Sequence, residues 1–152
     1  MTNGRRHPQR ADEEVGSSDY DRGRSGDGAV EATVKYISFS WTTPALLAGR
    51  KTVTRRRWSP RYAGQFHKGD MVVAFDKLPR NRGKRVALLA LTHDPVFENI
   101  ANAPEEDFES EGLRWMAETS YLLQGQSPWD FWCDWKLGGG YFWVIRFRII
   151  SR

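Results

Sequence analysis

The sequence has a single cysteine, Cys133, in 152 residues. One thiol cannot build an intrachain disulfide framework or a cysteine-based zinc site, and a reducing, cytoplasmic setting is expected. Histidine is nearly as scarce. His7, His67 and His93 stand far apart, so neither a metal nor another cofactor is expected. No apolar run approaches the roughly 20 residues of a membrane-spanning helix, and no membrane partner is expected. The N-terminal stretch is poor in apolar side chains altogether. From Met1 to Glu31 the sizeable ones are Met1, Val15, Tyr20 and Val30. Such a stretch buries too little surface to offset the entropy of ordering it, so residues 1–33 read as a disordered tail before one domain, 34–152. No apolar run follows its basic residues, as a secretory signal requires, and seven acidic residues between Asp12 and Glu31 argue against a targeting peptide.

Charge is what the domain does have. The tail holds five Lys or Arg against seven Asp or Glu, leaving 18 basic and 12 acidic residues of the chain's 23 and 19 for the domain. A basic domain behind an acidic-leaning tail points to an anionic partner, nucleic acid first. A monomer is expected.

Strand and helix signals alternate along the domain. Val34 to Trp41 reads as a strand, and Thr42 or Thr43 as the cap of a short helix, Pro44–Ala48, closed by Gly49. Lys51–Trp58 reads as a second strand and Ser59 to Lys68 as a loop. Lys68-Gly69-Asp70 turns into the strand Met71–Phe75. A basic Pro/Gly loop, Asp76–Lys84, precedes a strand from Arg85 to Leu91. Pro104–Met116 reads as one helix with acidic residues near its start, and Ser127-Pro128 opens another that runs to Leu137. The final strand, Tyr141–Ile150, alternates: Tyr141, Trp143, Ile145, Phe147 and Ile149 share a face. Five or six strands with helices between them predict an α+β fold built on a small, mixed β-barrel.

The chemistry concentrates in Leu47-Ala48-Gly49-Arg50-Lys51-Thr52-Val53-Thr54-Arg55-Arg56. Four guanidinium groups, Arg50, Arg55, Arg56 and Arg57, suit bidentate contact with phosphate, and Trp58 suits stacking on a base. Lys68 adds a further cation. A lysine desolvated among cations has a lowered pKa and can take a proton from a hydroxyl, which makes Lys51 and Thr54 a candidate catalytic pair. Three residues apart on a strand they would face opposite ways, so the pair requires Lys51 in the bend after Gly49. Glu109 or Glu111 would supply a carboxylate to move protons. Trp129, Trp132 and Cys133 fall at i, i+3, i+4 and read as a core-facing stripe. An exposed interaction patch with Trp129 and Trp132 side by side is the alternative.

Taken together these elements resemble the ASCH domain of the PUA-like superfamily. The resemblance rests on the Gly49-Arg50-Lys51-Thr52 turn, Lys68-Gly69-Asp70, Glu109-Ser110-Glu111-Gly112, Phe131-Trp132 and Phe142-Trp143-Val144-Ile145-Arg146-Phe147. It implies a small barrel associated with RNA. Around the Lys51 turn the chain is also similar to the small bacterial N(4)-acetylcytidine amidohydrolases. That likeness implies attack by Thr54 on an acetamide carbonyl, with Lys51 activating it and Glu111 shuttling a proton. Arg50, Arg55, Arg56, Arg57, Trp58 and Lys68 would contact RNA or a nucleoside. A ribonuclease, a non-catalytic RNA-binding regulator and a protein-interaction module remain the other readings.

Overall fold

A computed structural model describes residues 34–152; the disordered tail expected over 1–33 lies outside the described residues. Along the chain run β1 (Lys35–Ser38), α1 (Thr43–Leu47), β2 (Val53–Arg56), α2 (Pro60–Ala63), β3 (Met71–Phe75), β4 (Arg85–Leu91) and β5 (Val96–Asn99). They are followed by α3 (Asp107–Ser110), α4 (Leu113–Glu118), α5 (Pro128–Gly138) and β6 (Tyr141–Ser151). The strands form one sheet in the order β1-β3-β4-β6-β2, with β5 also paired to β6. β1 and β3 are parallel and the other pairs antiparallel. The sheet curls into a half-barrel, so the fold is mixed α+β.

β6 is the spine, because its eleven residues are long enough to serve three partners. Phe147 to Ser151 pair with β4, Tyr141 to Val144 with β5, and Trp143 to Arg146 with β2. Facing Cα partners share a sheet face, which sorts the side chains of β2. Thr54 and Arg56 lie with Ile145 and Trp143, whereas Val53 and Arg55 lie with Arg146 and Val144. Two apolar clusters result. Ile37, Phe39, Trp58, Phe66, Leu89, Ile145 and Phe147 belong to the first. Phe108, Leu113, Met116, Phe131, Trp132, Trp135 and Phe142 belong to the second, under α3–α5.

Several local expectations are corrected by tertiary contacts. The first strand stops at Ser38, because Phe39 N–H donates to Phe75 O and Ser40 takes a left-handed φ of 47°. Thr42 does not cap α1; its hydroxyl donates back to Phe39 O at 2.7 Å. The loop after Trp58 contains α2, capped by Ser59, whose Oγ accepts from Tyr62 N–H. The single helix expected over Pro104–Met116 is broken at Gly112, φ +92°. On α5 the buried stripe is Phe131, Trp132 and Trp135, while Cys133 is exposed and Trp129 retains 45 % of its surface. Trp129 and Trp132 are therefore neither buried together nor exposed together.

Candidate functional site

Four backbone hydrogen bonds shape the bend at Lys51. Arg50 N–H and Lys51 N–H both donate to Ala45 O in α1, at 3.1 and 3.3 Å. Thr52 N–H donates to Ser110 O at 2.7 Å, and Thr52 O accepts from Phe147 N–H at 3.0 Å. Held between α1, α3 and β6, Lys51 points inward and only 1 % of its surface is exposed. Gly112 lets the carboxylate approach. A Cβ there would stand 2.7 Å from Ala45 Cβ and 3.3 Å from Lys51 Cβ, so only glycine fits both the space and the left-handed backbone.

The buried charges form one chain. Lys51 Nζ donates to Glu111 O at 3.0 Å and to Glu111 Oε1 at 3.1 Å. Arg55 donates through Nη1 to Glu111 Oε2 at 2.7 Å and through Nη2 to Asp107 Oδ2 at 2.6 Å. Arg146 closes the far end with two bonds to Asp107, at 3.1 and 2.9 Å. Burial disfavours the Lys51 ammonium more than Glu111 favours it, and Arg56 and Arg55 push the same way, so its pKa is lowered. Burial also works against ionised Asp107. Hydrogen bonds from Arg146 and Arg55 outweigh it and hold that carboxyl below the ordinary range. Arg55, despite its desolvation, is held charged by Glu111 and Asp107.

Of the expected catalytic residues, the fold brings Lys51 and Glu111 together. Thr54 is buried but bonded to neither; its Oγ1 accepts from Arg56 Nε at 3.0 Å. The faces explain why. Lys51 reaches the carboxylate that Arg55 also reaches, and Thr54 stands on the opposite face of β2. Arg56 Nη2 continues to Ser38 O at 2.7 Å, and its guanidinium lies 5.5 Å from the centre of the Phe39 ring. That bond ties β2 to β1, the two ends of the strand path.

The expected phosphate contacts separate into three kinds. Arg55 and Arg56 are buried in the bonds just described and present no surface to a phosphate, so both are corrected to internal roles. Arg50 is half-buried and engages Glu109 at 2.7 and 2.9 Å and Glu118 at 2.9 and 3.1 Å. Those hydrogen bonds raise its pKa and lower both carboxyls. Glu109 lies on the outer side of the turn, and Glu111 is buried on the inner. Arg57 and Lys68 face solvent. Trp58 is also corrected: it stacks on Phe66 at 4.6 Å within the first core cluster and offers no open face to a base.

Asp107 and Arg146 are members that sequence reasoning missed. Asp107 reads as a helix-start acid, and Arg146 as a residue pointing away from an alternating strand. The signal available was Arg146 between Ile145 and Phe147, which with Arg148 interrupts an otherwise apolar strand. Among the described residues no group of three or more His, Cys, Asp or Glu is placed to hold a metal ion. No helix among them is long and apolar enough to cross a membrane.

No family model matches the chain, and no curated protein matches it at a significant level. A solved structure resembles it at low similarity: protein EF3133 from Enterococcus faecalis V583, described under the family model DUF984. The identity is 14 %, with 79 % of this chain and 78 % of that one covered and a TM-score of 0.46.

Proposed function

We propose that the chain is an ASCH-type, PUA-like domain that takes RNA or a modified nucleoside at the Lys51–Glu111 centre and hydrolyses an amide such as that of N(4)-acetylcytidine. The observation that carries this reading is the buried Lys51 amine, whose pKa is lowered and whose contacts run to both the backbone and the side chain of Glu111. An amine whose pKa is lowered gives up its proton more readily and so serves better as a base. Thr54 supports the reading in a second way. Its oxygen accepts from Arg56, which leaves the hydroxyl proton free to be donated.

In the proposed reaction Thr54 Oγ attacks the acetamide carbonyl and its proton passes to Lys51. The cytosine amine leaves with a proton delivered through Glu111. Water then hydrolyses the acetyl ester on Thr54, releasing acetate and restoring the hydroxyl. Lys51 and Thr54 share no hydrogen bond and Thr54 stands on the opposite face of β2, so this reaction requires the start of β2 to rearrange when ligand binds.

That separation favours a second reading, a domain that binds without reacting. Incubation with N(4)-acetylcytidine separates the two. Release of cytidine and acetate by the protein, reduced about a hundredfold or more in Lys51→Met, is the expected result. Binding without release leaves the non-catalytic reading. With RNA as ligand, log affinity should fall by about 0.7 per unit log salt for each phosphate neutralised, and binding indifferent to salt would exclude a polyanion.

A further inference from the structure

The basic loop between β3 and β4 has no part in the Lys51–Glu111 centre, yet it carries a charge that the fold leaves unanswered. Residues 76–85 read Asp-Lys-Leu-Pro-Arg-Asn-Arg-Gly-Lys-Arg, five cations against one carboxylate. Lys77, Arg80, Arg82, Lys84 and Arg85 are exposed, while Leu78, the large apolar side chain of the loop, is buried. The tip is built rather than slack. Asp76 N–H donates to Lys84 O at 3.1 Å, and Lys84 N–H to Asp76 Oδ1 at 2.7 Å. Asn81 and Gly83 N–H both donate to Leu78 O, at 2.8 and 3.1 Å, and Arg82 N–H to Pro79 O at 3.0 Å. Arg82 is held at a left-handed φ of 68°, and a Cβ at Gly83 would collide with Lys77 O. The backbone beneath the cations is therefore ordered before any ligand arrives, which lowers the cost of binding one.

Several surface cations elsewhere have partners. Lys35 pairs with Asp70 at 3.3 Å, Arg50 with Glu109 and Glu118, and Arg114 with Glu109 at 3.5 Å. Among the described residues no carboxylate pairs with Lys77, Arg82, Lys84 or Arg85. The carboxylate of the tip, Asp76, is taken up inside the turn. The chemistry of the tip narrows the anion that would answer these charges. Five cations in ten residues match a partner whose own charges are closely and regularly spaced, as a nucleic-acid strand is, with one phosphate about every 3.4 Å along a duplex strand. Arg80, Arg82 and Arg85 each offer a planar fork that bonds two phosphate oxygens at once. A lipid surface is the poorer match. Segments that bind one bury apolar side chains in it, and the exposed residues of this tip besides the cations are Pro79 and Asn81.

We infer that the β3–β4 tip is a nucleic-acid surface that grips the phosphodiester backbone and reads charge, not sequence. It is separate from the Lys51–Glu111 centre and needs neither Lys51 nor Thr54. It also supplies the phosphate contacts that the buried Arg55 and Arg56 cannot make.

The test is the affinity of the full chain for fluorescein-labelled single strands of one mixed sequence, read by anisotropy over a series of salt concentrations. The sequence is made as RNA and as DNA, which identifies the strand held. Arg82→Gln with Lys84→Gln removes charge from exposed side chains and leaves the backbone bonds of the turn in place. If both side chains meet phosphate, the slope of log affinity against log salt becomes shallower by about 1.4, and affinity at about 0.1 M salt falls roughly twentyfold. Arg61→Gln with Arg148→Gln removes the same charge from exposed positions on α2 and β6. That pair should stay within about twofold of the original protein, because charges beyond a Debye length are screened. Should the tip pair lower the unfolding midpoint, Lys77→Gln with Arg85→Gln makes the same comparison. Equal losses for the tip pair and the distant pair would overturn the proposal. So would an unchanged salt slope, no binding of either strand, or capture of phosphatidylserine vesicles by the tip in place of both strands. If N(4)-acetylcytidine is not hydrolysed while the tip pair still sets strand affinity, the amidohydrolase reading fails and the tip stands. Hydrolysis with strand affinity unmoved gives the reverse.

Discussion

Glu111→Gln tests the core of the site, because one carboxylate there answers two buried cations. The Lys51 and Glu111 side chains have no exposed surface and Arg55 has 1 %. Glutamine keeps the shape, but it leaves both cations facing a neutral amide. Breaking a buried pair by removing one partner's charge costs about 3–5 kcal/mol, which for a domain of this size lowers the thermal midpoint by roughly 10–20 °C. Lys51→Met should behave differently. Arg55 still neutralises Glu111, and the desolvation cost removed with the amine offsets the hydrogen bonds lost, so a change within about 1 kcal/mol is expected. In the double variant the two effects should fail to add by about 1–3 kcal/mol, as for groups in one network. Urea unfolding followed by the fluorescence of the buried Trp132 and Trp135 measures all three. A Glu111→Gln cost below about 1 kcal/mol, or a cycle with no coupling, would refute the buried network.

Other perturbations have definite signs. Because the Lys51 pKa is lowered, the native state binds fewer protons than the unfolded chain from that lowered value up to about 10.4. Stability therefore rises with pH across that window, and Lys51→Met should flatten the rise in a series of unfolding midpoints. Asp107, with its carboxyl below the ordinary range, contributes stability above about 3.9 that is lost as pH falls through its native value; Asp107→Asn should reduce that acid loss. Gly112→Ala forces a methyl to 2.7 Å from Ala45 Cβ in a left-handed backbone, and a loss of about 2–4 kcal/mol in urea unfolding is expected. Trp132→Ala should cost about 3–5 kcal/mol in the same measurement, and Trp129→Ala much less, since the Trp129 ring is half exposed.

Several of the chain's local signals are matched in the structure. Gly69 turns into Met71–Phe75, Ser127 caps α5 through its bond from Asp130 N–H at 3.1 Å, and β6 follows the glycine run. The β2 alternation is also as read, Thr54 with Arg56 and Val53 with Arg55. β5 was illegible because Val-Phe-Glu-Asn has no apolar alternation and exists as a strand only through its bonds to β6. The fates of Arg55 and Arg56 were illegible for a related reason. A row of arginines looks the same whether water or carboxylates face it, and Asp107 and Glu111 lie more than fifty residues away in the chain.

The sequence by itself determined the cationic bend, its glycine stop, the candidate pair Lys51 and Thr54 with Glu109 or Glu111 left open beside it, and most of the strands that frame them. These follow from backbone preferences and side-chain periodicity, which act over a few residues. Tertiary structure decided which charges meet. Docking of α3 and Gly112 against α1 drives Lys51 onto Glu111, and pairing of β2 with β6 turns Arg55 toward Asp107 and Thr54 toward Arg56. The cost of burying a charge depends on what surrounds it in space, so no local pattern could assign those partners.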